Sequence, residues 1–254
     1  MTQEPRQTMP EADPARQAVP VAFPNTAPYA TYAIIGVTVF VYLLQALSKL
    51  LLDGADIPAY LFIKSNDMIR AWQVWRLVTP IFLHGSILHI GLNMYALFSL
   101  GTGLERHFGH GRFLLLYFVG AFVGNVASLL LSSTDYSLGA GTAIFGLLSA
   151  EGVFLFQNRR LFGQQARRAM GNVIFIGALN LAILSMLPGV DIWANVGGLF
   201  GGLFFAWYAG PLWEVESTPT GFTFMDRRTT REIILGAVTV LVVFGAVAVW
   251  WIVR

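Results

Sequence analysis

Apolar residues in this chain come in long, nearly unbroken blocks, without the narrow stripes or strict alternation of a water-soluble fold. Seven blocks have helix length: residues 29–52, 87–104, 112–131, 140–157, 170–187, 192–209 and 232–254. Each approaches or exceeds the roughly 20 apolar residues that a helix needs to cross a hydrocarbon core of about 30 Å. Each therefore predicts a transmembrane helix, six in a core over residues 29–210 and a seventh at the C-terminus. The intervening segments read differently. Residues 1–28 carry prolines at 5, 10, 14, 20, 24 and 28 and no apolar period, which predicts a disordered tail. Residues 53–86 form a long loop that is too apolar to float in water, with Trp72 and Trp75 suited to headgroup depth. Residues 211–231 read as a polar linker.

Composition agrees with this reading. The 254 residues are 56% hydrophobic and only 12% charged, about half the charge of a soluble domain. Mean hydropathy is +0.63. The class is an all-α polytopic membrane protein. There is no cysteine, so disulfides, thiolate nucleophiles and Cys-based metal sites are excluded. A net charge of +2 gives no nucleic-acid surface. The first apolar run is too long for the core of a cleavable signal, and none is expected.

Positive charge orients the spans. The loops after the second, fourth and sixth blocks carry the unbalanced arginines, including Arg159, Arg160, Arg167 and Arg168, and the loops after the third and fifth carry none. The arginine-bearing loops are expected in the cytoplasm. A multi-pass protein of the cell membrane follows, with its N-terminus inside and its C-terminus outside. The run from 159 to 168 is a topology signal first and an anionic-lipid site second. This orientation brings the starts of the second, fourth and sixth spans to one outer layer. His84, His89, Asn93, Gly141 and Asn195 then share a depth, and His89 and Asn93, four apart, share a face. Polar groups at such depth face the bundle or a water-filled cavity.

The fourth span opens with small residues. Gly139, Ala143, Gly146 and Ala150 recur at helical spacing, so one face has almost no side chain. Neighbouring helices can then approach to backbone distance, which is how helices associate inside a bilayer. Gly197, Gly198, Gly201 and Gly202 on the sixth span form two overlapping Gly-x3-Gly pairs, expected to pack on that face.

In order, the chain reads Trp75-Arg76, His84-x4-His89-x3-Asn93, Gly101-x3-Glu105-x3-Gly109, Gly139-Ala-Gly-Thr-Ala-Ile-Phe-Gly146 and Asn195-Val-Gly-Gly-Leu-Phe-Gly-Gly202. This series, over about residues 30–210, resembles the rhomboid family of intramembrane serine proteases. The resemblance implies a rhomboid-like six-helix core, with the seventh span as the extra C-terminal helix that some members carry. In active members a serine at the top of the fourth helix attacks a peptide bond and a histidine on the sixth is its base. Those positions fall here on Gly141 and Asn195. The resemblance places His89 and Asn93 at oxyanion-stabilising positions and Phe145 one turn below Gly141, beneath the place of the histidine ring. It also favours a structural bond from Glu105 to the first loop.

Glycine carries no nucleophile and an Asn amide is no proton acceptor at any accessible pH. Thr142 lies beside residue 141, but a helix turns its side chain about 100° away. Ser149 is two turns deeper. Each is expected to be a packing hydroxyl. His84, His89 and Asn93 lack a further ligand to complete a metal site, so no metal or cofactor is expected. His84, Trp75, Arg76, Glu105, Gly146, Gly197, Gly198 and Gly201 are expected to be structural, with Trp75-Arg76 also readable as an ordinary interface anchor. The expected function is that of a catalytically inactive pseudoprotease, with membrane lipids and the transmembrane segments of client proteins as partners. The alternative is a rhomboid intramembrane serine endopeptidase, this chain being an inactivated variant or using an unrecognised nucleophile.

Overall fold

A computed structural model describes residues 21–22, 26–186, 190–219 and 221–254. Eight α-helices dominate: α1 (Tyr29–Leu51), α2 (Ile57–Phe62), α3 (Asn66–Arg70), α4 (Ile87–Leu131), α5 (Gly141–Gln157), α6 (Arg159–Ser185), α7 (Ile192–Ala209) and α8 (Thr230–Val253). Of these, α1, α4, α6, α7 and α8 are long and apolar enough to cross a membrane, and α5 is a shorter apolar helix of 17 residues.

The second and third apolar blocks belong to one hydrogen-bonded element, α4. It is interrupted at Gly109, whose backbone leaves the helical region (φ 73°, ψ 163°). A straight helix of 45 residues would reach about 68 Å, twice the hydrocarbon core. The chain instead folds back at Gly109. At one end of α4, His89 lies against Gly139, whose N–H donates to the Pro80 carbonyl. At the other end, Asn125 donates to the Leu77 carbonyl and Ser128 accepts from Lys64. Both ends therefore lie beside the same loop, and α4 runs as two antiparallel halves.

α5 sits at the centre, packed against both halves of α4, α6 and α7. Its small face works as the spacing predicts. A Cβ on Gly146 would lie 3.1 Å from the Gly120 Cα and 3.2 Å from the Gly198 carbonyl oxygen. The glycines of α7 divide their work between two neighbours. Cβ atoms on Gly198 and Gly202 would strike the carbonyl oxygens of Thr142 and Gly146 on α5. Those on Gly197 and Gly201 would strike Gly124 and Val123 on the second half of α4. Expected packing on the fourth span accounts for only one of these two faces.

The loop from 53 to 86 is structured by its own polar groups. Arg76 is buried at 4% exposure, and its guanidinium donates to the carbonyls of Tyr60 and Ile63, both at 2.8 Å, and to the Gln73 side chain. It staples the loop. Trp75 beside it is half exposed. A two-residue strand β2 (Lys64–Ser65) pairs antiparallel with β3 (Tyr136–Ser137), tying this loop to the one before α5.

Three segments depart from the sequence expectation. α6 begins at Arg159, not at 170, so the arginine run is helical apart from a break at Gly163. The expected linker at 211–231 contains a hairpin, β4 (Trp213–Thr218) with β5 (Gly221–Asp226). The expected disordered tail lies largely outside the described residues, but β1 (Val21–Ala22) pairs parallel with β5. Short β-strands have no apolar period long enough to register against seven membrane-length blocks. Helix α8 is closed by a capping box between Thr229 and Glu232 and packs on α4 and α7.

Candidate functional site

The site is built around the N-terminus of α5, which the preceding loop holds in place. The Gly139 N–H donates to the Pro80 carbonyl at 2.9 Å, and the Ala140 N–H donates to His84 Nε2 at 3.5 Å. His84 is itself fully buried, and its backbone N–H donates to Gln45 Oε1 of α1 at 3.0 Å. Burial, with the His89 ring 5.0 Å away, pushes the His84 pKa down to about 4. The imidazole is therefore neutral at physiological pH, as an acceptor for Ala140 must be.

His89 and Asn93 reach this layer from the first turns of α4. Ser86 caps that helix by accepting from the His89 N–H at 3.2 Å. A Cβ on Gly139 would meet the His89 ring at 2.8 Å and the Asn93 amide nitrogen at 3.8 Å. Gly139 also has φ +120°, so glycine is required there twice over. The Asn93 amide nitrogen is buried and has no hydrogen-bond partner among the described residues.

Gly141 and Asn195 face one another across the junction of α5 and α7. A Cβ on Gly141 would lie 3.2 Å from Asn195 Oδ1 and 4.0 Å from Asn93 Oδ1. Unlike at Gly139, no positive φ requires glycine at 141, and the nearest atoms are the ends of side chains. Asn195 is buried at 6% exposure, one turn into α7, and Asp191 caps that helix by accepting from the Ala194 N–H. Thus His89, Asn93, Gly139, Gly141 and Asn195 converge, with His84 behind them.

The remaining singled-out residues lie around this cluster. Phe145 is buried one turn below Gly141. Thr142 turns away: its methyl group occupies the place where a Gly124 Cβ would be, against α4. The Ser149 hydroxyl donates to the Gly146 carbonyl of its own helix at 3.0 Å. Among the described residues, no group of three or more His, Asp or Glu could hold a metal ion. Glu105 lies near the Gly109 break of α4, at the far end of its first half, fully buried. It accepts from the N–H groups of Ala30 (2.8 Å) and Thr31 (2.7 Å) and from the Thr31 hydroxyl. It therefore caps α1, and the expected bond to the first loop is not made. A carboxylate at a helix N-terminus meets unpaired donors and a favourable dipole. The partner instead is the start of α1, 75 residues earlier in the chain.

Three residues that sequence reasoning passed over brace the site. Lys64 is fully buried and donates to Ser128 Oγ at 2.6 Å and to the Thr134 carbonyl at 3.2 Å. Its Nζ lies 3.9 Å from Asp191, which also accepts from the Ser128 hydroxyl. Burial pulls the Lys64 pKa below its ordinary range, against the attraction of Asp191 and Asp135. This cluster joins the first loop, the end of α4 and the cap of the Asn195 helix. Asp191 carried a readable signal, an N-cap residue just ahead of an apolar run. Lys64 carried a weaker one, a charge among apolar loop residues.

Comparison with known proteins agrees with this geometry. Residues 71–212 match the family model described as the rhomboid domain. The chain is 35% identical over 192 residues to "Rhomboid protease GluP" of Bacillus subtilis (strain 168), covering 75% of this chain and 37% of the relative. It is 33% identical over 173 residues to "Rhomboid-like protease 3" of Toxoplasma gondii, covering 68% of this chain and 62% of the relative. It is 38% identical over 135 residues to "RHOMBOID-like protein 1" of Arabidopsis thaliana, covering 53% of this chain and 34% of the relative. In each case the chain spans less than two thirds of the relative's own length. The rhomboid domain takes in more than half of the sequence and every residue of the cluster around the start of α5, and this chain belongs to the rhomboid family.

Proposed function

We propose that this protein is a rhomboid pseudoprotease that binds transmembrane segments of other proteins without cleaving them. One observation carries the reading: the two side chains placed to do the chemistry, at 141 and 195, are a glycine and an asparagine, in an otherwise assembled site. Loss of the nucleophile or base of a serine protease costs about 10⁶ in kcat. The polar groups left behind supply only about 10³–10⁴ over water. Packing gives no reason for glycine at 141, where a Cβ meets only side-chain ends. The unpartnered Asn93 amide supports a binding role, because it is a buried donor ready for the carbonyl of a locally unwound segment. Apolar side chains left exposed on α6 (Ile174, Phe175) and on the first half of α4 (Leu88, Leu92) suit contact with such a segment. We place the arginine-bearing end in the cytoplasm of a cell membrane, from the charge asymmetry.

A second reading has its own support in the 3.2 Å at which a Cβ on residue 141 would stand from Asn195 Oδ1. It is that the chain is an inactivated form of an intramembrane serine endopeptidase. One experiment addresses both. The parent and the Gly141→Ser/Asn195→His double variant are treated with a fluorophosphonate probe, a reporter transmembrane substrate and a photoreactive transmembrane peptide. The expected result is a parent that crosslinks the peptide but neither labels nor cleaves. Gain of labelling and cleavage by the double variant supports a preserved protease site emptied at two positions. Cleavage by the parent overturns the pseudoprotease reading, and absence of crosslinking overturns the binding role.

A further inference from the structure

Away from this cluster, two cavities have linings that reach the C-terminal end of α5. The first is an apolar groove of about 550 Å³ between α5, α6 and α7, walled by residues such as Leu148, Val153, Phe156, Val173, Leu203 and Trp207. Ser149 is the one hydroxyl on its wall, and that group already bonds Gly146. The second is a polar pocket of about 490 Å³ whose lining includes Arg159, Arg160, Arg227 and Glu214. Both volumes fall within the roughly 300–1,000 Å³ of small-molecule sites.

A side-chain stack links the two linings. Phe156 stacks on Trp207 with ring centroids 6.1 Å apart, and the Arg159 guanidinium lies over the Phe156 ring at 4.2 Å. Arg159 also donates to the Phe156 carbonyl at 2.7 Å, so its charge is held beside a residue of the groove wall. In the polar pocket three arginines face one carboxylate, and Glu214 is already engaged by Arg227 at 2.8 Å. Arg167 and Arg168 stand exposed on α6, one turn before Met170 at the groove's edge. An apolar groove among the long apolar helices and a pocket whose Arg159 and Arg160 have no carboxylate partner among the described residues are thus joined by this stack.

The geometry points to a bound anionic phospholipid, with one acyl chain in the groove between α5, α6 and α7 and its phosphate at Arg159, Arg160 and Arg227. Charge complementarity selects the occupant. A zwitterionic lipid gives the arginines no net charge to hold, and a soluble anion leaves the groove unfilled. Arginine near a membrane surface favours an anionic lipid by roughly five-fold per residue. The site is independent of whether residues 141 and 195 support chemistry.

The test is native mass spectrometry of the full chain in mild detergent. The probes are phosphatidylglycerol, phosphatidylcholine with the same acyl chains, and glycerol phosphate without chains. The expected result is retention of phosphatidylglycerol over phosphatidylcholine by roughly ten-fold or more, with no competition from glycerol phosphate. Arg159→Gln/Arg160→Gln should remove the preference while leaving some binding of both lipids, and keeps Arg167 and Arg168 as topology signals. Ala178→Phe, at an exposed position on the groove wall, should lower occupancy by both lipids. An unchanged preference in the double arginine variant overturns the proposal. So does unchanged occupancy in Ala178→Phe, or competition by glycerol phosphate as strong as that of the lipid.

Discussion

His84 shows what single residues contribute. Its sequence context, two residues ahead of a cap and five ahead of His89, marks it only as polar and near the second span. Its partners, Gln45 and Ala140, lie on other elements, so its work in holding the start of α5 is not legible locally. That work requires a neutral ring, which gives a pH dependence. The folded-state pKa of about 4 lies below the ordinary 6.5. Between these values the unfolded chain binds more protons, so stability rises with pH. The contribution is present above pH 6.5 and is lost as pH falls toward 4, amounting to about 3 kcal/mol. Unfolding midpoints at pH 7 and pH 4.5 should differ more for the wild type than for His84→Gln. Carboxylates titrate in both proteins, so equal differences would dismiss this account. Lys64 and Asp191 teach the same lesson. Each was visible as a charge, but their pairing across the fold was not.

At the level of elements, the helices were readable because a membrane span must satisfy its backbone internally and show lipid an apolar surface. Small-residue spacing also foretold close packing of α5, since Gly146 could do nothing else so well. The division of α7 between α5 and α4 was not legible, because Gly197 and Gly198 look alike in sequence. The structure makes the contrast measurable. Gly198→Ala places a methyl group on the Thr142 carbonyl oxygen, a backbone atom that cannot step aside. It should destabilise the bundle by about 1–3 kcal/mol or more. Gly36→Ala on α1 meets nothing within 4 Å and should be neutral or stabilising by up to about 1 kcal/mol. Denaturation in a fixed detergent checks both. Similar midpoints for the two variants would contradict the packing described here. The Thr229-Thr-Arg-Glu232 cap was readable in advance, as a threonine followed three residues later by glutamate ahead of an apolar run. The hairpin beside it was not, because six-residue strands in a polar stretch carry little pattern.

For the whole molecule, the question of orientation in the membrane turns on where the arginines lie. The absence of cysteine makes it simple to ask, since any introduced thiol is the only one in the chain. Gln164→Cys in the arginine-bearing segment should react with an impermeant maleimide only after the cells are opened. Thr134→Cys, between α4 and α5, should react in intact cells. Reversed labelling would overturn the assigned orientation and would place the proposed lipid headgroup on the other leaflet.

By itself the sequence determined the class and the family, because hydropathy and length act locally along the chain and the family's motifs are short and ordered. It also brought His89, Asn93, Gly141 and Asn195 to one depth, since helix rise and loop charge decide depth. Only the tertiary structure decided which groups touch at that depth. Glu105 turned out to cap α1, Arg76 to staple the loop, and Lys64 to meet Ser128 and Asp191 behind the site. The reason is physical. A buried polar group must find a partner, and which partner is nearest depends on how the helices pack, which no local pattern encodes.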